Sequence, residues 1–210
     1  MRARRSVSPN GGRAPPSIRA AGVNQPGRKE KVALKLPDGV QYTPRPDKSL
    51  SEMLLEGEVD AILTAHPPEL FEHGDPRIVR LFEDYQSVEE DYYKRTGIWP
   101  IMHLYAIRRD VFDAHPWVAK TLMKAFTEAK DRSMERAIEI TACRMPFAWC
   151  YDAAEKAKKL FGDDFYPYGL EPNRTTLEAF LLYGFEQGLF HCQMEPEELF
   201  PKEVLSEFKV

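Results

Sequence analysis

The stretch "SLSEMLLEGEVDAILTAHPP", Ser49 to Pro68, constrains the fold more than any other part of this chain. Ser49 followed by Glu52 fits a capping box that opens a helix, and Gly57 stands where a helix end takes a left-handed residue. "VDAILTA" then reads as a buried strand, stopped by Pro67-Pro68. A short amphipathic helix feeding directly into an apolar strand is an α/β pattern, so α/β is the expected fold class.

Two more segments predict strands. "KVALKL" alternates Val32, Leu34 and Leu36 on one face and ends at Pro37-Asp38-Gly39. "PIMHLYAIRR" sets Ile101, His103, Tyr105 and Ile107 on one face and Met102, Leu104 and Ala106 on the other. Neither face is polar before Arg108, which predicts a central strand buried on both sides. Helices are predicted around Pro76–Phe82 and Ser87–Arg95, and from Pro116 to about Thr141 with Val118, Leu122, Ala125 and Ala129 as the apolar stripe. Two others are predicted over Asp152–Phe161 and Arg174–Gln187. The last is opened by Asn173, striped by Leu177, Phe180, Leu181, Gly184 and Phe185, and stopped by Gly188. Three strands are too few for an α/β sheet of ordinary width, so the expected fold is an incomplete one.

Charge is unevenly spread. Residues 1–29 hold seven Arg and Lys and no acid, whereas the other 181 residues hold 22 basic and 33 acidic side chains. An acidic body argues against nucleic acid as the main partner, because phosphate binding needs clustered basic surface. Residues 1–23 are rich in Pro, Gly, Ser and Arg and nearly free of large apolar residues, a composition that predicts a disordered basic head. No window approaches the roughly 18 apolar residues of a membrane span. The opening has no apolar core of an export signal, and three cysteines, Cys143, Cys150 and Cys192, suit a reducing compartment. The expectation is a cytoplasmic protein.

No zinc spacing, phosphate loop, dinucleotide-type glycine motif or nucleophile elbow is present, so neither a metal nor a cofactor is expected. Candidate chemistry falls on histidines and cations. His66 follows a predicted strand in the stiff loop "LTAHPP", where α/β folds tend to bind ligands, and reads either as a ligand contact or general acid, or as a solvated loop residue. His103 interrupts an apolar run, and a buried imidazole needs hydrogen-bond partners. It reads as a ligand contact, a proton donor or a satisfied core residue. Arg108 and Arg109 end that strand and could take a carboxylate in bidentate fashion, or form a solvated strand end. "DDFYPYGLEPNRTTLEAF" offers Tyr166, Tyr168, Asn173 and Arg174 as the lining of an aromatic pocket, or as a loop pinned by aromatic packing.

Together, "GEVDAILTAHPP", "VEEDYYKRTGIWPIMHLYAIRRDVFDAHPWVAK" and "GDDFYPYGLEPNRTTLEAFLLYGFEQGL" resemble the 4,5-dihydroxyphthalate decarboxylases and the related proteins labelled as ABC-transporter substrate-binding proteins, from about Asn24 to Phe200. The resemblance implies a periplasmic-binding-protein-like fold of type II with a cleft between two α/β lobes. Residues 24–66 would end the second lobe and return through the hinge, and residues 67–210 would form the C-terminal part of the first. Family members begin with the opening strands of both lobes. Here the basic residues 1–23 stand in that place, so the chain is expected to be the C-terminal part. The implied function is cofactor-independent decarboxylation of a dihydroxylated aromatic dicarboxylate, with a small aromatic carboxylate as partner and homo-oligomerisation permitted. His103 and His66 are the expected proton donors. Arg108, Arg174 and Lys94 are the expected carboxylate holders, and Tyr168 and Asn173 further substrate contacts. The alternative is a solute-binding protein holding a small anionic or aromatic ligand, or an inactive fragment of either.

Overall fold

The computed structural model describes residues 20–21, 35–38, 42–142 and 144–205. Among them the chain is mostly helical, with almost no strand. They fall into two compact units. One runs up to Val88; the other starts at Glu89 and takes in Leu34–Pro37.

In the first unit, strand β1 (Ala20–Ala21) pairs in parallel with β2 (Ala61–Ile62). The pairing lies within the stretch whose composition predicts disorder, and main-chain ladder bonds ask nothing of side-chain size. The rest of the basic head, and Val32 and Leu34 of the predicted "KVALKL" strand, lie outside the described residues. Of the strand predicted over "VDAILTA", only Ala61 and Ile62 are paired. Helix α1 (Leu50–Leu55) starts as predicted: the Ser49 hydroxyl accepts the Glu52 N–H at 3.2 Å, and the Glu52 carboxylate accepts the Ser49 N–H at 2.8 Å. Gly57 follows the end of α1 with φ +75°. Leu50, Met53, Val59 and Ile78 are buried.

The helix predicted around Pro76–Phe82 is not formed. One turn, α2 (Glu69–Glu72), precedes that stretch, and Asp75 then takes over the backbone. Its carboxylate accepts the Arg77 N–H at 3.0 Å and the Arg77 guanidinium at 2.7 Å, a local side-chain bond that competes with helix. The same hydrogen bonds hold the Asp75 pKa down to about 2.

Helix α3 (Tyr85–Thr96) leads into the second unit, which holds α4 (Arg109–Ala114), α5 (Trp117–Ala137), α6 (Cys150–Phe161) and α7 (Arg174–Glu186). Helix α5 packs against α4, α6 and the short turn Lys202–Val204. Tyr93, Trp99 and Phe161 form an edge-to-face trio that ties the end of α3 to α6, with centroids 4.7–6.2 Å apart.

The apolar stripe predicted on α5 holds in its first half, where Val118 and Leu122 are partly buried, and departs in its second. Ala125 and Ala129 are exposed, whereas Ala119 and Lys130 are buried and Met123 and Phe126 partly so. The inward face therefore ends on 123, 126 and 130, and its last position is a lysine. On α7, Leu177, Leu181 and Gly184 are buried as predicted, while Phe180 and Phe185 are exposed. Gly184 leaves room for Phe190: a Cβ there would meet the ring at 2.3 Å. Gly188, at φ +74°, accepts the Lys35 N–H on its carbonyl at 3.1 Å, and a Cβ would meet the Lys35 carbonyl oxygen at 1.7 Å.

The largest departure concerns residues 100–107. They join no ladder, and Met102, Leu104 and Tyr105 are 75%, 58% and 74% exposed. The expected buried strand is thus replaced by an unpaired, exposed apolar segment. A strand, unlike a helix, takes its hydrogen bonds from a neighbour, and none is paired with it among the described residues.

Candidate functional site

The second unit gathers a group of aromatic and charged residues where the loop before α7 lies on α5. The α5 face at 123, 126 and 130 supplies the floor. Phe126 stacks on Tyr105 with centroids 4.3 Å apart and planes 17° apart. The Met123 side chain lies beside Gly169, 3.6 Å from where a Cβ would stand. Lys130, with only 6% of its side chain exposed, reaches the loop through Asp164, at 2.8 and 2.9 Å. Its own neighbour Asp131 lies at 3.0 Å.

Burial works against the charge on Lys130, but hydrogen bonds and Coulomb attraction from Asp164 and Asp131 outweigh it and hold its pKa above the ordinary lysine value. The ammonium also lies 5.7 Å from the centre of the Tyr168 ring, within cation–π range. Tyr166 and Tyr168 have ring centroids 6.1 Å apart. Burial, with the neighbouring phenols of Tyr105 and Tyr166, pushes the Tyr168 phenol above its ordinary pKa. Three tyrosines and a buried cation thus share one place on α5.

Asn173 explains why the loop stays there. Its side-chain amide donates to the carbonyls of Pro167 and Gly169, both at 2.9 Å. It occupies the N-cap position of α7 but makes no side-chain cap bond; both of its donors hold the loop instead.

The remaining predicted residues are spread out. His103 is exposed and lies two residues before Tyr105, on the segment that carries that ring to the group. His66 belongs to the first unit and is exposed; its carbonyl accepts the Thr64 hydroxyl at 3.0 Å. Arg174 already faces three carboxylates, Glu171 at 2.6 Å, Glu197 at 2.5 Å and Glu178 at 3.6 Å, so its guanidinium is engaged at the surface. Arg108 is paired with Asp110 at 2.5 Å, and Lys94 with Glu90 at 3.4 Å one helical turn away. A carboxylate ligand would have to displace one of these acids. Lys130 and Asp164 were not among the predicted residues, because they meet across 34 positions of chain.

An open depression of about 200 Å³ lies elsewhere, between the end of α5 and the start of α6, lined by Arg136, Glu139, Ile140, Trp149 and Tyr151. None of the predicted site residues reaches it. Among the described residues, no group of three or more His, Cys, Asp or Glu is placed to hold a metal ion, and no helix is long and apolar enough to cross a membrane.

No family model matches the chain. Curated proteins do. A 4,5-dihydroxyphthalate decarboxylase of Comamonas testosteroni is 33% identical over 190 residues, covering 90% of this chain and 58% of that protein. The chain is similar to that protein over nearly all of its own length. A second relative of that name, from Pseudomonas putida, is 38% identical over 74 residues, or 35% of this chain and 29% of its own length. The chain thus spans little more than half the length of the first relative and less than a third of the second. The homology extends through most of the helical second unit, because 90% of the chain cannot be matched without it.

Proposed function

We propose that this chain belongs to a cofactor-independent decarboxylase acting on a 4,5-dihydroxyphthalate-like aromatic dicarboxylate. The observation that carries the reading is the similarity over 190 residues to a protein of that name. In this reading the chain supplies part of a two-lobed, periplasmic-binding-protein-like α/β fold. The Tyr105–Tyr168 group takes the face of the ring, and His103 is the proton donor.

The chemistry asks little beyond placement. A ring hydroxyl para to the carboxylate-bearing carbon pushes an electron pair onto that carbon. His103 delivers a proton to it, so a C–H bond forms while the ring is briefly a dienone. The C–C bond to the carboxylate then breaks, its electron pair restores the aromatic ring, and carbon dioxide leaves. The hydroxyl regains its proton, and solvent reprotonates the imidazole. No electron is gained or lost overall. A general acid contributes roughly 10²–10⁴-fold when it sits within hydrogen-bond reach of the reacting carbon.

The test is direct. Purified protein is incubated with 4,5-dihydroxyphthalate, and 3,4-dihydroxybenzoate is followed by chromatography. Product should exceed the uncatalysed rate. His103→Ala should lose at least about a hundredfold in turnover while melting within a few degrees of the parent, since the residue is exposed. Turnover unchanged in that variant removes His103 from the chemistry. No product from a cooperatively melting parent sample removes the decarboxylase reading.

A further inference from the structure

Lys130 is the one charged residue buried among the described residues, and it sits on the inward face of a helix where an apolar side chain would pack. Its ammonium cannot be a substrate clamp: it is 6% exposed and already sits between two carboxylates. What it does hold is a loop. Asp164, its partner across the chain, also accepts the Tyr166 N–H at 3.3 Å. The ion pair therefore fixes the backbone just ahead of Tyr166 and Tyr168, and the ammonium lies 5.7 Å from the Tyr168 ring. At the far end, Asn173 closes the same loop onto the carbonyls of Pro167 and Gly169.

We propose that Lys130 is a positioning residue that, through Asp164, holds Tyr166 and Tyr168 on α5 as the face that receives the aromatic acid. The proposal rests on the decarboxylase reading for the identity of the ligand, and on geometry alone for the anchoring. A buried ion pair is weak evidence for stability, because an apolar residue of similar volume often serves the fold as well or better. The placement of a phenol is a different matter, since a contacting ring already held in its bound position has less freedom to lose when the ligand binds. Methionine would pack in the place of Lys130, and what the lysine adds is the fixed register of the loop on the helix. Arginine in its place keeps the charge and two donors for Asp164.

The test uses the full chain with Lys130→Met and Lys130→Arg, and reads two quantities. The first is hydrogen exchange at the Tyr166 amide. The second is the KM and kcat for 4,5-dihydroxyphthalate. Lys130→Met should speed exchange at Tyr166 at least tenfold and raise KM about tenfold, with kcat within twofold and the melting temperature close to that of the parent. Lys130→Arg should restore most of both. Exchange unchanged in Lys130→Met overturns the anchoring, and faster exchange with an unmoved KM overturns the role in ligand binding. Should Lys130→Met fail to fold, Asp164→Asn, at the exposed partner, carries the same two readouts with the same expected signs. Absence of turnover in the parent defeats the decarboxylase reading but leaves the exchange comparison to decide the anchoring.

Discussion

The segment 100–107 and helix α7 are built on opposite terms, although Trp99, just ahead of the segment, donates its N–H to the Thr176 hydroxyl of α7 at 3.2 Å. Helix α7 satisfies its own backbone, buries Leu177 and Leu181 to 4% and 2% exposure, and closes on a glycine whose carbonyl takes the Lys35 N–H. Residues 100–107 are no less apolar, yet they bury little and pair with nothing among the described residues. An equal supply of hydrophobic side chains gives a closed core in one place and an open surface in the other. What separates them is where the backbone finds its hydrogen bonds. A helix finds them four residues away, and an extended chain must be given a neighbour.

Truncation should break that comparison most sharply. Leu181→Ala is expected to remove roughly 3 kcal/mol of stability, as a fully buried leucine does, whereas Leu104→Ala, at 58% exposure, should fall within about 0.5 kcal/mol. Chemical denaturation of the two variants measures both. Equal losses would mean that 100–107 is covered in solution. Next comes Gly188→Ala, which forces a side chain into a left-handed backbone and against the Lys35 carbonyl. A loss of roughly 2 kcal/mol is expected, with increased proteolytic nicking near Lys35. An unchanged midpoint would show that Leu34–Pro37 is not held by α7.

The smallest effect is one of pH. The folded pKa of Lys130 is raised, so its contribution to stability is complete below the unfolded value of about 10.4 and is lost as pH rises through the folded value. The stability difference between the parent and Lys130→Met should therefore be flat through neutrality and shift against the parent in the alkaline range. Melting curves recorded from pH 8 upward check this, and a parallel pair of curves throughout would mean that Asp164 does not hold the proton on Lys130.

How much of this the sequence disclosed follows from range. The capping box at Ser49 and Glu52 spans three residues and was legible in full. So were the glycine stops at Gly57 and Gly188, both with positive φ. Asn173 was legible as a helix opener, but its side chain turned back to the preceding loop. The later half of the α5 stripe was missed because a hydrophobic stripe cannot include a lysine, and the carboxylate that makes Lys130 a buried residue lies 34 positions on. The surroundings of the cations expected to hold a carboxylate are a matter of short range as well. Arg108 and Arg174 had acids two and three residues away, and those short-range partners engage them. The alternation of 100–107 was real, but alternation says which faces a strand would have and nothing about who pairs with it.

The bracketing of the open segment has a practical consequence for anyone concentrating this protein. "IMHLYAI" is an uncharged run of seven residues with neither glycine nor proline, which is the signature of a stretch that stacks with copies of itself. Pro100 stands immediately before it and Arg108-Arg109 immediately after, the residue types that interrupt such stacking from either end. The arginine doublet stands where a gatekeeper against self-association would stand, and neutralising it should be felt first in the yield of clear, monodisperse protein.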